Sequence, residues 1–193
     1  MKSQEEIKNL AKGVKVAVFD GDGVIFSGQV FVGPGADGTF KELLKVRSHL
    51  DGQGLSLIRS AGIRVAVVTA EKSGFAESLV NKLNNLPSAK SGAWPPIEIF
   101  TQQIGESKLV TIETWLKGLG LAWSECAYMG DDVGDFQVMQ KAGFKASPAQ
   151  AESLVKNISD FVAPRQGGNG AVRDFCNFLL ETRGIDPTTL NLW

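Results

Sequence analysis

Short apolar runs alternate with segments of helical spacing along the whole chain. Val14 to Phe19 is a run rich in β-branched residues that ends in charge, the look of a buried strand. Arg64 to Thr69 repeats it, after a helical stretch from about Gly52 to Ser60 that Gly62 stops. Weaker runs follow at Ile97–Phe100, Glu125–Met129, Phe144–Ala146 and Asp160–Val162. Helix-length segments lie near 72–85, 106–119, 133–142 and 150–157, with a last one near 170–183. This alternation predicts an α/β fold: a doubly wound, Rossmann-like parallel sheet with helices on both faces. Two segments break the rhythm. Residues 26–46, with Gly28, Gly33, Pro34, Gly35 and Gly38, read as a β-hairpin flap projecting after the first strand. Residues 84–96, with Pro87, Pro95 and Pro96, read as a Pro-rich surface loop. No repeat or linker divides residues 1–193, which read as one domain with its core at about 13–183.

Composition narrows the function classes. The 193 residues are 43% hydrophobic and 21% charged, ordinary for a globular protein. The 20 Lys and Arg nearly balance 21 Asp and Glu, so the basic excess of a nucleic-acid binder is missing. No apolar run approaches the roughly 20 residues that span a bilayer, and the polar start does not resemble a secretory signal. Two cysteines, Cys126 and Cys176, lack metal-type spacing, which sets a reducing cytoplasm as the expectation. The single histidine, His49, argues against a His-rich metal site or a serine-protease triad.

Chemistry gathers at the ends of the strand-like runs. The first closes on Asp20-Gly21-Asp22-Gly23, two carboxylates at the edge where open α/β sheets bind ligands. Alone, Asp-Gly pairs read equally well as turns. The second run ends in Thr69, a hydroxyl beside a helix start that suits an anion. Another ends in Gly130-Asp131-Asp132-Val133-Gly134-Asp135, where Asp132 also has the plain reading of a helix N-cap. Lys108 lies just inside a helix that begins near Gly105. Acids clustered at one edge repel unless a cation sits among them, and all-oxygen ligands favour Mg²⁺.

Asp20-x-Asp22, Thr69, Lys108 and Gly130-Asp131-Asp132-x-x-Asp135 resemble, in order, the four motifs of the haloacid dehalogenase-like hydrolase superfamily. With the hairpin, Asp51-Gly52-Gln53-Gly54 and Gly167-Gly168-Asn169-Gly170-Ala171-Val172-Arg173, the chain resembles the capless branch of 2-keto-3-deoxy sugar-acid phosphatases. The gaps between motifs are filled by the hairpin, helices, a loop and a strand, leaving no room for a cap domain.

The resemblance implies a Mg²⁺-dependent phosphatase. It implies Asp20 as the nucleophile that forms an aspartyl-phosphate and Asp22 as the acid and then the base. Asp20, the Asp22 carbonyl and Asp131 become metal ligands, with Asp132 and Asp135 as supporting carboxylates; Thr69 and Lys108 hold the phosphoryl oxygens. It further implies a homotetramer in which neighbouring subunits cover the open face. The substrate is read as a 2-keto-3-deoxynononate 9-phosphate, because Glu71 stands where octulosonate-type enzymes carry Gly-Arg and Lys82 follows at helical spacing. Glu71, Lys82 and Arg173 are then the substrate-binding candidates. Alternatives are a 3-deoxy-D-manno-octulosonate 8-phosphate phosphatase, a non-catalytic oligomerisation domain like the tail of sialate cytidylyltransferases, and a phosphoacceptor receiver domain.

Overall fold

The computed structural model describes residues 2–190. Six parallel strands form one sheet: β1 (Val16–Asp20), β4 (Arg64–Val68), β5 (Ile97–Phe100), β6 (Cys126–Met129), β7 (Phe144–Ser147) and β8 (Phe161–Val162). Their order is β5-β4-β1-β6-β7-β8. The remaining strands, β2 (Val30–Pro34) and β3 (Phe40–Lys45), pair antiparallel as the expected hairpin. The chain steps outward from β1 to β4 and β5, then returns to β6 on the other side of β1. The carboxyl ends of β1, β4 and β6 therefore meet at a topological switch point, the usual ligand crevice of such sheets.

The two-residue period of a strand sorts each side chain to one face. Ala17, Phe19, Val65, Val67, Ala127 and Met129 share one buried cluster. That layer also takes α2 (His49–Ser60), α3 (Phe75–Asn84) and α8 (Ala171–Thr182). Val16, Val18, Ala66, Val68, Cys126 and Tyr128 share the opposite cluster with α5 (Glu106–Gly118), α6 (Phe136–Lys141) and α7 (Ser153–Ile158). Strands buried on both faces explain why the sequence shows continuous apolar runs rather than alternation.

The structure departs from the sequence reading in three places. A helix, α1 (Gln4–Lys12), opens the chain, closed at its start by a reciprocal Ser3–Glu6 capping box. Its apolar stripe is only Ile7, Leu10 and Ala11, too short to stand out as a pattern. The segment near 133–142 is a 3₁₀ turn, Val133–Asp135, leading into α6. Residues 84–96 are more than a surface loop: they carry a helical turn, α4 (Pro87–Lys90), and bury Trp94.

Arg59 explains that last departure. Its guanidinium is fully buried, donating to the Pro95 carbonyl (2.8 Å), the Leu83 carbonyl (3.2 Å) and Asn84 Oδ1 (3.1 Å), and lies 5.5 Å from the Trp94 ring. These partners are neutral, and burial lowers its pKa to about 10. Asn84 in turn clamps both backbone groups of Ile97 at the start of β5. Arg59→Met would take a donor from each of these acceptors and leave the Pro95 carbonyl with none among the described residues, a cost of roughly 1–3 kcal/mol before the lost packing on Trp94. We expect a net loss of about 2–4 kcal/mol in urea unfolding, with turnover per folded molecule unchanged. A variant as stable as the parent would show that this clamp contributes nothing.

Candidate active site

The face that Val16 and Val18 occupy continues one step to Asp20, which therefore points into the α5–α6 layer. Lys108, in the first turn of α5, meets it there: Nζ lies 2.7 Å from Asp20 Oδ1 and 2.8 Å from Asp135 Oδ1. All three side chains are buried. Tyr128, on the same face of β6, donates its hydroxyl to Asp135 Oδ1 at 2.7 Å. Asp135 Oδ2 accepts the Asp131 amide at 2.9 Å and is 3.4 Å from the Asp132 amide. Asp135 thus holds the loop after β6 in shape with every lone pair directed at a donor.

Two glycines let the strand ends close on one another. A Cβ on Gly21 would stand 2.5 Å from Thr69 Oγ1. Gly23 has φ +80, and a Cβ there would stand 1.9 Å from Asp131 Oδ2. The Asp-Gly-Asp-Gly spacing is thereby explained: each glycine gives way to a polar side chain from a neighbouring strand end. The loop is braced from behind. Gln150 donates to the Gly23 carbonyl at 2.7 Å and accepts the Gly167 amide at 2.9 Å, and the Gly168 amide donates to the Val24 carbonyl.

Oxygens of Asp20, Asp131 and Asp135 lie within 4.8 Å of one another. Three carboxylates against one ammonium leave two negative charges, the complement of one divalent cation. Burial first, then the Asp135 charge, pushes the Asp131 carboxyl up to about 7 and Asp20 up to about 8. Asp135 has its donors already; Asp20 and Asp131 carry the charge that wants neutralising. The donor set fits a hard, oxygen-seeking cation.

Other candidates are placed less centrally. Asp22 puts its carboxylate on Lys45 of the hairpin rather than in that cluster. Asp132 caps the 3₁₀ turn through the Val133 amide at 2.6 Å, its plain reading. Glu71 is buried and accepts from the Ser73 hydroxyl and from the Phe75 and Ala76 amides, so its carboxylate serves the first turn of α3. A cleft of about 960 Å³ opens past Asp22, Lys45, Glu71 and Ile104. Lys82 and Arg173 line a different cavity, of about 430 Å³, with Arg47 and His49. Sequence reasoning passed over Tyr128, Gln150 and Lys45. The one signal for Tyr128 was a lone tyrosine on the even face of an apolar strand.

A family model for haloacid dehalogenase-like hydrolases matches residues 63–174. A 3-deoxy-D-manno-octulosonate 8-phosphate phosphatase of Escherichia coli strain K12 is 30% identical over 175 residues, covering 90% of this chain and 83% of that one. Its counterpart from Salmonella typhi is 29% identical over 174 residues, covering 90% and 83%. Among solved structures, the Moraxella catarrhalis octulosonate phosphatase, in complex with magnesium, phosphate and its sugar acid, superimposes with a TM-score of 0.77. It shares 29% identity and covers 93% of each chain. The cobalt-bound enzyme of Haemophilus influenzae gives 0.76 at 26% identity, covering 91% and 92%.

The raised carboxyls carry a pH signature. Asp20 and Asp131 ionise near 3.8 when unfolded and near 7 to 8 when folded without metal. The folded state then holds more protons, so metal-free stability falls as pH rises through that window. Metal binding needs the ionised carboxylates. Added magnesium should therefore stabilise more near about pH 8 than near about pH 5, reaching about 2.7 kcal/mol at 100 times its dissociation constant. Thermal melts of Asp131→Asn should lose that response; an equal response in variant and parent would exclude Asp131 as a ligand.

Proposed function

The chain belongs to the haloacid dehalogenase-like hydrolases, and from that premise we propose a magnesium-dependent phosphatase acting on the phosphomonoester of a 2-keto-3-deoxy sugar acid. The observation that carries this reading is the buried Lys108 between Asp20 and Asp135, beside an Asp131 whose carboxylate has no donor among the described residues. A bound divalent cation supplies charge neutralisation that lets a carboxylate approach a phosphate dianion. Asp20 attacks phosphorus through Oδ2, since Lys108 occupies Oδ1. Lys108 orients the nucleophile and, with the Thr69 hydroxyl, receives the phosphoryl oxygens. Asp22, half-exposed at the mouth, gives a proton to the leaving alkoxide and afterwards takes one from the water that splits the aspartyl-phosphate. A purely oligomeric role gives no reason to keep Asp20, Lys108, Asp131 and Asp135 together.

Within that class we favour an octulosonate 8-phosphate, the substrate in the names of the relatives that span 90% of this chain. The nononate reading keeps one specific observation, Glu71 in place of Gly-Arg at the mouth of the cleft. Its carboxylate is engaged by the Ser73 hydroxyl and two amides of α3, which weakens its claim on sugar hydroxyls. Phosphate release from eight- and nine-carbon acid phosphates, with magnesium, decides the matter. Asp20→Asn should lower turnover on either by several orders of magnitude. Near-normal turnover by that variant would remove the nucleophile from the scheme.

We also read the enzyme as a cytoplasmic homotetramer. Among the described residues no helix is long and apolar enough to cross a membrane, and Cys126 and Cys176 are buried free thiols that suit a reducing compartment. The hairpin exposes Phe31, Phe40 and Leu44 by 58%, 78% and 61%, a ribbon of apolar surface that association would cover. Sedimentation should give a closed oligomer, and exchanging these three for Ser should yield monomers with lower activity on the sugar acid. A monomeric parent enzyme with full activity would refute the assembly.

A further inference from the structure

Lys45 has no part in the scheme above, yet its surroundings are those of a working residue. Its side chain is 2% exposed although it sits on a flap whose other long side chains face outward. Nζ lies 2.8 Å from Asp22 Oδ1 and 2.7 Å from Oδ2, with Glu42 at 3.3 Å and Glu71 at 4.0 Å. The rings of Phe26 and Phe75 flank it, with centroids 5.8 and 6.0 Å away. A desolvated ammonium must be matched by negative charge, and Asp22 makes the short contacts. The reverse also holds: the Asp22 side chain is 49% exposed on a turn, and Lys45 is its only side-chain partner among the described residues.

We propose that Lys45 is the positioning residue for Asp22, fixing its carboxylate at the mouth of the cleft. This rests on the reading of Asp22 as the acid and base. In the first half-reaction the Asp20–phosphorus bond forms and the ester P–O bond breaks, while the Asp22 proton passes to the departing oxygen. In the second, water oxygen bonds to phosphorus, the Asp20–phosphorus bond breaks, and the water proton passes to Asp22. Lys45 gives up no proton in either half; Nζ, which holds both Asp22 oxygens at rest, keeps one of them while the other turns to the reacting oxygen. The hairpin thereby sets the acid and base from 23 residues away in sequence.

The contrast between the two lysines supports this division. Lys108 holds Asp20 from the sheet side, and Lys45 holds Asp22 from the flap side. Each carboxylate of the Asp-x-Asp pair thus has its own ammonium, and neither ammonium is shared between them.

The experiment is a double-mutant cycle in the full chain, with Lys45→Met, Lys45→Arg, Asp22→Asn and the Lys45→Met/Asp22→Asn pair. Lys45→Met should lower kcat on a sugar-acid phosphate about ten- to a hundred-fold with little change in KM, and Lys45→Arg should recover part of it. Added to Asp22→Asn, Lys45→Met should cost nothing further, because its effect runs through that carboxylate. With p-nitrophenyl phosphate, whose leaving group needs no proton, Lys45→Met should release a rapid burst of one nitrophenol per site before slow turnover. Additive losses in the cycle, or parallel losses on both substrates without a burst, would overturn the proposal and make Lys45 an anchor of the flap. If Asp22→Asn itself turns over normally, the acid–base reading fails first, and the cycle reports that separately.

Discussion

The contact on which the rest depends is the buried ammonium of Lys108 between Asp20 and Asp135. Burying one carboxylate without a partner costs several kcal/mol, and burying two side by side costs more. Lys108 makes the pair tolerable, and its own proton is held firmly in return, well above the usual lysine range despite burial. The cluster then dictates its neighbours. Tyr128 must donate to Asp135, the loop after β6 must turn its amides inward, and Asp131 is brought beside Gly23. What the protein supplies is a frame two positive charges short of neutral, and that gap is chemically selective.

Much of this was legible in the sequence because strand ends are legible. A β-branched run that stops at a carboxylate fixes both where the strand ends and what stands at the crevice. The parity of Val16, Val18 and Asp20 puts that carboxylate on the face they share, but that α5 and its Lys108 cover this face is read from the fold. Parity gives no information about the hairpin. Lys45 looks like any lysine on a polar flap, and only the three-dimensional fold of residues 26–46 brings its ammonium back to Asp22. Arg59 was hidden for a related reason: charged residues are read as surface, and its neutral partners at 83, 84 and 95 share no pattern with it. Glu71 shows the opposite hazard. A residue that departs from a family pattern invites a substrate role, whereas first-turn carboxylates also satisfy helix amides.

The glycines of the two signature runs belong to one construction. Gly21 and Gly23 let Thr69 and Asp131 close on the loop after β1 from either side. The Gly167–Gly170 run presses backbone against the same loop from behind, with Gln150 as the strut between them. Asp51 ties this brace to the sheet layer by accepting the Gly170 and Arg173 amides at the start of α8. Motifs that are distant in sequence thus recur together because they are consecutive shells around four residues.

The hairpin carries two kinds of side chain that answer to different constraints. Phe31, Phe40 and Leu44 point to solvent, where an apolar ribbon costs free energy until something covers it. Lys45 points inward and is held by Asp22, Glu42 and Glu71, so the base of the flap is anchored in the cleft beside Asp22. A two-stranded ribbon is marginal alone, with one register shift between Phe31 and Val32 and no sheet behind it. Its geometry must come from two contacts: from whatever covers its apolar face and from the ion cluster at its base. Any force that reorients the ribbon acts directly on the Asp22 carboxylate. In a fold that has no cap to close over its ligand, this makes the flap the part through which assembly and chemistry can be coupled.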